Sequence, residues 1–260
     1  MKADHRATLL QRQIPSPGLF SVTFHAPELA AAIAPGQFVM IDVPDRARPY
    51  LRRAYSVADA RLGEVEFLIK TIGPGTAALE QMPAGSVARL LGPLGNAFTI
   101  GDLPRGARVA IVAGGIGVAP FPLLFKALAA AGLPADLYFG GRNARDLALK
   151  PRLDGLVSGD TILATDDGSL GEKGFVTEAL SRRISAGVRY ARVFACGPMP
   201  MFAALSRVVA AANLSAQFST EAEMGCGFGA CLACVIPGTE KPFIVSCSEG
   251  PILSPEQIRW

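Results

Sequence analysis

The feature that most constrains this chain is a run of cysteines near its C-terminus. Cys226 is followed after four residues by Cys231, after two more by Cys234 and after a further twelve by Cys247, in a stretch that opens as EMGCGFGACLACV at 223. The chain has five cysteines, so this pattern takes all but one of them. Thiolates are metal ligands, and C-x4-C-x2-C with a distant fourth cysteine is the plant-type spacing for a [2Fe–2S] cluster. Gly225, Gly227 and Gly229 interleave the ligands. A loop wrapped closely around a cluster needs little side-chain bulk and unusual backbone angles, and its N–H groups then turn toward sulfur. Two other readings use the same residues. A structural zinc site also takes four cysteines, although zinc ribbons show two C-x2-C knuckles and here there is one. Unligated cysteines pack as small hydrophobes. The spacing predicts a cluster, with Cys226, Cys231, Cys234 and Cys247 as its ligands.

Cysteines kept for a metal go with a reducing compartment. The opening MKADHRATLLQRQIPSPG is charged and has no apolar core, so a cytoplasmic location is expected and a secretory signal is not. The net charge of +3 comes without a basic run, which argues against a nucleic-acid face. One stretch, VAIVAGGIGVAPFPLLF at 109–125, is uncharged over seventeen residues. Its two prolines and its cluster of glycines suit a strand, a glycine turn and a helix, and no membrane span is expected.

With 260 residues, half of them hydrophobic, the chain can bury more than one core. The first third reads as short alternating strands, such as GQFVMIDVP and VEFLIKTIG, separated by Pro/Gly turns, and predicts an antiparallel β-barrel. Within it, IGPGTAAL places Gly75 and Thr76 at the opening of a helix, a ready anion site. The middle third alternates strand and helix, as a parallel α/β sheet does. RVAIVAGGIGVAPFPLLFKAL reads as strand, glycine loop (Gly114, Gly115, Gly117) and helix, with Pro120 in the first helical turn. It departs from G-x-G-x-x-G, because Pro120 stands where the third glycine would be, and the next strand, ADLYFGG, ends without the acidic residue that holds a ribose. The expected domains are 1–101, 102–215 and 216–260.

Arg53-Ala54-Tyr55-Ser56 resembles the R-x-Y-S motif of the ferredoxin reductase superfamily. The resemblance implies a barrel that binds FAD, with Arg53 on the pyrophosphate, Tyr55 against the isoalloxazine ring and Ser56 near its reactive nitrogen. Ile69, Lys70, Gly75 and Thr76 would add further cofactor contacts. GGIGVAP resembles that superfamily's nicotinamide-dinucleotide loop, and VFACGPMPMFAAL sets Cys196, Gly197 and Pro198 at its nicotinamide end. A small core residue at a strand end is the plainer account of Cys196. The order of flavin barrel, nicotinamide sheet and C-terminal cluster loop, with LGPLGN, TDDGSLGEKGFVTEAL and CSEGPIL, resembles the electron-transfer subunits of the two-component, NAD-dependent dihydroorotate dehydrogenases. That resemblance implies FAD, a [2Fe–2S] cluster and NAD as cofactors, with no catalytic side chain of the chain's own. It also implies an FMN-containing dihydroorotate dehydrogenase partner, in a heterotetramer of two of each, serving pyrimidine biosynthesis. Related relays that serve a sulfite reductase, a hydrogenase or a ferredoxin-linked transhydrogenase share the same cofactors. A zinc-stabilised binding protein would share only the fold. Two departures stand out: Ala54 and Tyr55 where the family often has Pro and an aliphatic residue, and Glu223 where it carries Arg. Arg142 and Arg145, after the second strand of the nicotinamide domain, could pair with a 2′-phosphate, yet the resemblance favours NADH.

Overall fold

The computed structural model of the chain describes residues 2–42 and 51–260. Its first part is an antiparallel sheet of seven strands: β1 (Ala3–Ser16), β2 (Leu19–His25), β3 (Phe38–Asp42), β4 (Arg53–Ser56), β5 (Asp59–Arg61), β6 (Glu64–Lys70) and β7 (Val87–Leu94). Their spatial order is β4-β3-β7-β1-β2-β6-β5. The strands at the two ends of that order, β4 and β5, are joined in the chain by Val57 and Ala58 alone. Such a link reaches about 10 Å, so the sheet must curl until its edges meet. The two linking residues bridge those edges, the Val57 N–H donating to the Gln37 carbonyl at 3.2 Å just before β3 and the Ala58 N–H to the Glu66 carbonyl of β6 at 2.9 Å. The expected barrel is present as this curled sheet. Of GQFVMIDVP, the residues from Phe38 to Asp42 form β3, and 43–44 lie outside the described residues. Two short helices, α1 (Pro27–Ala32) and α2 (Pro74–Gln81), complete this part.

Strands β2 and β6 are buried along nearly their whole length. Phe20, Val22 and Phe24, with Val65, Phe67 and Ile69, fill the barrel interior, whereas Leu19 and Leu68 face outward into the core of the next domain. A strand covered on both faces has no polar side to show in its sequence.

The second part holds β8 (Val109–Gly114), α3 (Phe121–Ala130), β9 (Ala135–Gly141), β10 (Thr161–Thr165), β11 (Glu172–Lys173), α4 (Val176–Ser185), β12 (Arg192–Cys196), α5 (Met199–Ala211) and β13 (Ser215–Ser219). The six strands are parallel, in the order β11-β10-β9-β8-β12-β13. Val109, Ile111 and Ala113 of β8 pack on Phe121, Leu124 and Phe125 of α3, while Ala110 and Val112 face Leu180 of α4 and Phe202 of α5. The stretch 109–125 is thus strand, turn and helix, as expected, and no helix among the described residues is long and apolar enough to cross a membrane.

After β13 the chain forms the cysteine loop, the hairpin β14 (Val235–Pro237) and β15 (Phe243–Val245), the single turn α6 (Ser246–Glu249) and β16 (Ile252–Leu253). β16 pairs antiparallel with β13, so the C-terminal segment returns to the second sheet, and the boundary expected at 215/216 falls inside β13. Asn96 of LGPLGN fastens this return. Its side chain donates to the Ile252 carbonyl and accepts from the Ile252 N–H, both at 2.8 Å, and its own N–H donates to Gly250 at 2.7 Å. Ion pairs between Lys126 and Asp59, Arg152 and Glu66, and Lys70 and Asp146 join barrel to sheet around the shared apolar core.

Candidate functional site

The chain leaves β8 for β9 and β10 on one side of the sheet and later places β12 on the other, so a crevice opens at the C-terminal ends of these strands. A cavity of about 1080 Å³ occupies it. Gly114, Gly115, Gly117, Gly197 and Pro198 line it from the second domain, and Lys70 lines it from the barrel. The glycine loop after β8 nests against the turn after β12. A Cβ on Gly117 would lie 2.3 Å from the Cys196 carbonyl oxygen, and one on Gly114 would lie 2.8 Å from Pro198 Cδ. Gly115 adopts φ +55°. Any side chain at Gly114 or Gly117 would push the two loops apart.

Cys196 is fully buried behind this junction. Burial pushes its thiol pKa up, and the Glu221 carboxylate adds to the rise. Glu221 itself lines the cavity with its side chain exposed to it, and desolvation raises its own pKa. Lys70 Nζ donates to Asp146 Oδ1 at 2.9 Å. Asp146 also accepts from Arg142, through the backbone N–H at 3.2 Å and Nε at 3.0 Å. Burial would raise the Asp146 pKa, but these hydrogen bonds outweigh it and hold the carboxyl at about 2. Arg142 is therefore occupied by a carboxylate, and Arg145 is exposed with its N–H on the Asn143 side chain.

Arg53, Tyr55 and Ser56 lie on β4. Arg53 donates to the Leu51 carbonyl. The Tyr55 ring packs edge-on to Phe67 at 6.5 Å, and burial lifts its pKa to about 12. Its hydroxyl is buried with no partner among the described residues. An orphaned phenol on a strand of this kind fits a cofactor that supplies the missing acceptor or donor. Ile69 is buried at the end of β6, beside Lys70. Gly75 and Thr76 occupy the first turn of α2, where the Thr76 hydroxyl accepts from Ile72 and Gly73 N–H and donates to the Gly73 carbonyl. That hydroxyl is fully used, which leaves the backbone amides as the anion-facing groups of this turn.

The four cysteines come together as two pairs. The Cys231 N–H donates to Cys226 Sγ and the Cys247 N–H to Cys234 Sγ, each at 3.4 Å. Amides of Phe228, Ala230 and Cys231 point at Cys226 Sγ from 3.3 to 3.5 Å, and Gly229 N–H reaches Cys247 Sγ at 3.1 Å. Burial opposes ionisation of Cys226, but these amides outweigh it and bring the thiol down to about 6. Gly227 and Gly229 have φ +82° and +90°, which lets the loop turn its N–H groups inward. Among the described residues no three His, Cys, Asp or Glu side chains converge as a single ion requires. Thiols that gather this many inward-turned amides suit an iron–sulfur cluster, whose sulfurs take hydrogen bonds from the backbone around them. The loop also sits directly on the barrel: Cys234 and Cys247 pack with Phe38, Met40 and Leu94, and a Cβ on Gly227 would meet Met40 Cγ at 2.5 Å. Glu223 is exposed.

Asp146, Glu221 and Phe175 line the cavity but do not stand out in the sequence. Asp146 falls one short turn after β9, beyond the strand end where an acidic residue is normally sought. Glu221 directly follows Thr220, just past the end of β13, where spacing alone offered no chemistry for it.

Comparison with known proteins agrees with this geometry. Residues 8–98 match the oxidoreductase FAD-binding domain, 111–207 the oxidoreductase NAD-binding domain, and 221–259 the iron-sulfur cluster binding domain of dihydroorotate dehydrogenase B. Among solved structures, an NADH-dependent reduced ferredoxin-NADP oxidoreductase superposes with a TM-score of 0.83 at 24% identity, over 98% of this chain and 90% of that one. The cytochrome b5 reductase domain of Ulva prolifera nitrate reductase gives 0.66 at 20% identity, over 82% and 94%. The dihydroorotate dehydrogenase B (NAD(+)) electron transfer subunit of Desulforamulus reducens is 34% identical over 98% of this chain and 97% of its own length, and that of Geobacillus thermodenitrificans is 36% identical over 97% of each. With that identity along the whole length, and its own FAD, NAD and iron–sulfur domains in the same order, the chain belongs to the family of dihydroorotate dehydrogenase B electron transfer subunits.

Proposed function

We propose that the chain passes electrons between a nicotinamide nucleotide in the cavity and a partner subunit at the cysteine loop. The partner is the FMN-containing dihydroorotate dehydrogenase, two copies of each subunit assemble, and the complex serves pyrimidine synthesis in the cytoplasm. The observation that carries this is the seating of the cysteine loop on β3, the strand paired with β4 and its Arg53, Tyr55 and Ser56. When bound, FAD and a [2Fe–2S] cluster supply the redox chemistry, converting a hydride into single electrons and back.

The chain's own residues hold these groups. Arg53 would neutralise FAD phosphate, Tyr55 and Ser56 would contact the flavin ring, and Ile69 would close its apolar side. Lys70 and the amides of Gly75 and Thr76 would face anionic groups. Gly114, Gly115 and Gly117 let a dinucleotide approach the backbone, and Cys196, Gly197 and Pro198 shape its nicotinamide end. Cys226, Cys231, Cys234 and Cys247 would hold the cluster. Phe228, Leu232, Val235 and Phe243 are large apolar side chains exposed around the loop and hairpin, a composition that favours a protein partner.

The test is anaerobic purification of the chain with its FMN-containing partner. Iron and acid-labile sulfide should be present in equal amounts, and dihydroorotate should reduce NAD+ only when both subunits are present. Stoichiometric zinc without sulfide, or a partner unable to accept electrons from the reduced chain, would overturn the proposal.

A further inference from the structure

Ser246 immediately precedes Cys247, at the start of α6. It is completely buried, and its hydroxyl has no hydrogen-bond partner among the described residues. A buried hydroxyl without a partner is costly, so its acceptor is to be sought in what the surrounding residues are built to hold.

The strand register says where Ser246 lies. β14 and β15 pair Ile236 with Ile244 and Val235 with Val245, and one step further the Ser246 N–H donates to the Cys234 carbonyl at 2.8 Å. Ser246 therefore lies beside Cys234, one step beyond the end of the ladder. Cys234 Sγ in turn accepts the Cys247 N–H at 3.4 Å. The peptide joining Ser246 to Cys247 already lies against that sulfur.

Donors are unevenly shared among the four sulfurs. Among the described residues Cys226 receives three loop amides, whereas Cys234 receives the Cys247 N–H alone and Cys247 the Gly229 N–H alone. Ser246 adjoins both of these less supplied cysteines, Cys247 in sequence and Cys234 through the backbone.

We propose that Ser246 Oγ–H donates a hydrogen bond to sulfur on the Cys234 side of the cluster and so raises its reduction potential. The inference rests on the four cysteines being cluster ligands. Reduction adds one negative charge, shared by the sulfurs, and a donor stabilises the reduced form more than the oxidised one. Ser246 is a positioning and tuning residue, since it takes no part in ligation.

The experiment is a redox titration of the FAD-loaded protein, with the reduced cluster followed by electron paramagnetic resonance, in wild type, Ser246→Ala and Ser246→Thr. Loss of the hydroxyl should shift the equilibrium about tenfold toward the oxidised form, which is a midpoint lower by about 59 mV for one electron, and Ser246→Thr should restore it. Resonance Raman spectra in H2O and D2O give a second readout. The iron–sulfur stretches of wild type and Ser246→Thr should move more on deuteration than those of Ser246→Ala. If Ser246→Ala fails to assemble a cluster, Ser246→Val against Ser246→Thr isolates the hydroxyl at constant shape. Equal midpoints and equal deuterium shifts across either comparison would overturn the proposal while leaving the cluster in place. A wild-type protein without sulfide would instead remove the cluster assignment beneath it.

Discussion

Gly227→Ala is a direct probe of how closely the cysteine loop is seated on the barrel. Gly227 has φ +82°, and an added Cβ would lie 2.5 Å from Met40 Cγ, 2.9 Å from Met40 Sδ and 3.2 Å from Leu94 Cδ1. Two costs follow. A left-handed conformation costs a non-glycine residue about 1–2 kcal/mol. Forcing a methyl group into a filled core costs about 1–3 kcal/mol more, since Met40 is completely buried and has little room to withdraw. Together they favour lifting the loop from β3 by about 2–5 kcal/mol. Gly85 supplies the control, with φ +85° but nothing within 4 Å of an added Cβ. Its replacement incurs the first cost alone, and at a place remote in sequence from the cysteines.

The assay is the rate at which a chelator strips iron from the oxidised protein, limited by loop opening. With tenfold for each 1.4 kcal/mol, Gly227→Ala should release iron at least about thirtyfold faster than wild type. Gly85→Ala should release it at the wild-type rate. Adding Met40→Ala to Gly227→Ala should give back part of the loss, because the two side chains compete for one space and their effects are not additive. Equal release rates for Gly227→Ala and wild type would refute the close seating, and with it the short path between flavin and cluster.

Four further outcomes are expected. Cys231→Ser should abolish the visible spectrum of the cluster while NADH still bleaches the flavin, since Cys231 lies on the exposed side of the loop, away from the barrel core; loss of FAD as well would contradict this. Arg53→Ala should weaken FAD retention by about 1.5–3 kcal/mol, roughly ten- to a hundredfold in dissociation constant, measured by flavin fluorescence on dilution. The depressed Asp146 pKa, about 2 against the usual 3.8, gives stability that is present above pH 3.8 and is lost as pH falls through about 2. After discounting for solvent screening this is about 1 kcal/mol, so Asp146→Asn should flatten the acid limb of the near-ultraviolet dichroism titration in that window. Flavin reduction should be faster with NADH than with NADPH in stopped flow, because Asp146 already occupies the Arg142 side chain that would otherwise meet a 2′-phosphate.

Much of this arrangement was legible in the residues because its determinants are local. The thiol spacing fixes which sulfurs can share a loop, and the glycines between them mark where the backbone must turn inward. The GGIGVAP loop announces a strand, a turn and a helix by the same logic. What escaped the sequence is contact between distant segments. Lys70 looks like a cofactor residue at the end of β6, yet its ammonium meets Asp146, seventy-six positions away. Thr76 looks like a free anion ligand, but its hydroxyl closes its own helix turn. β16 is too short to show any period, and it is a strand only because β13 offers a free edge and Asn96 fixes both backbone groups of Ile252. Partners that lie far along the chain leave no periodic trace.

The same long-range contacts bear on how electrons could move. Leu19 and Leu68 of the barrel share one apolar core with Phe121 and Phe125 of the second domain, and Phe38, Met40 and Leu94 share another with Cys234 and Cys247. Burying each such leucine contributes about 1.5–3 kcal/mol, so neither contact separates without exposing apolar surface on both sides. The barrel is common to the two. Cavity, R-x-Y-S strand and cysteine loop are consequently held by one folded unit, and their spacing is set when the chain folds. A carrier that hands on single electrons gains from this, because transfer then needs no rearrangement between the cavity and the loop. The outer side of the loop stays uncovered, with Cys231, Phe228 and Leu232 exposed. That face is free to meet a partner without disturbing the packed side that meets the flavin barrel.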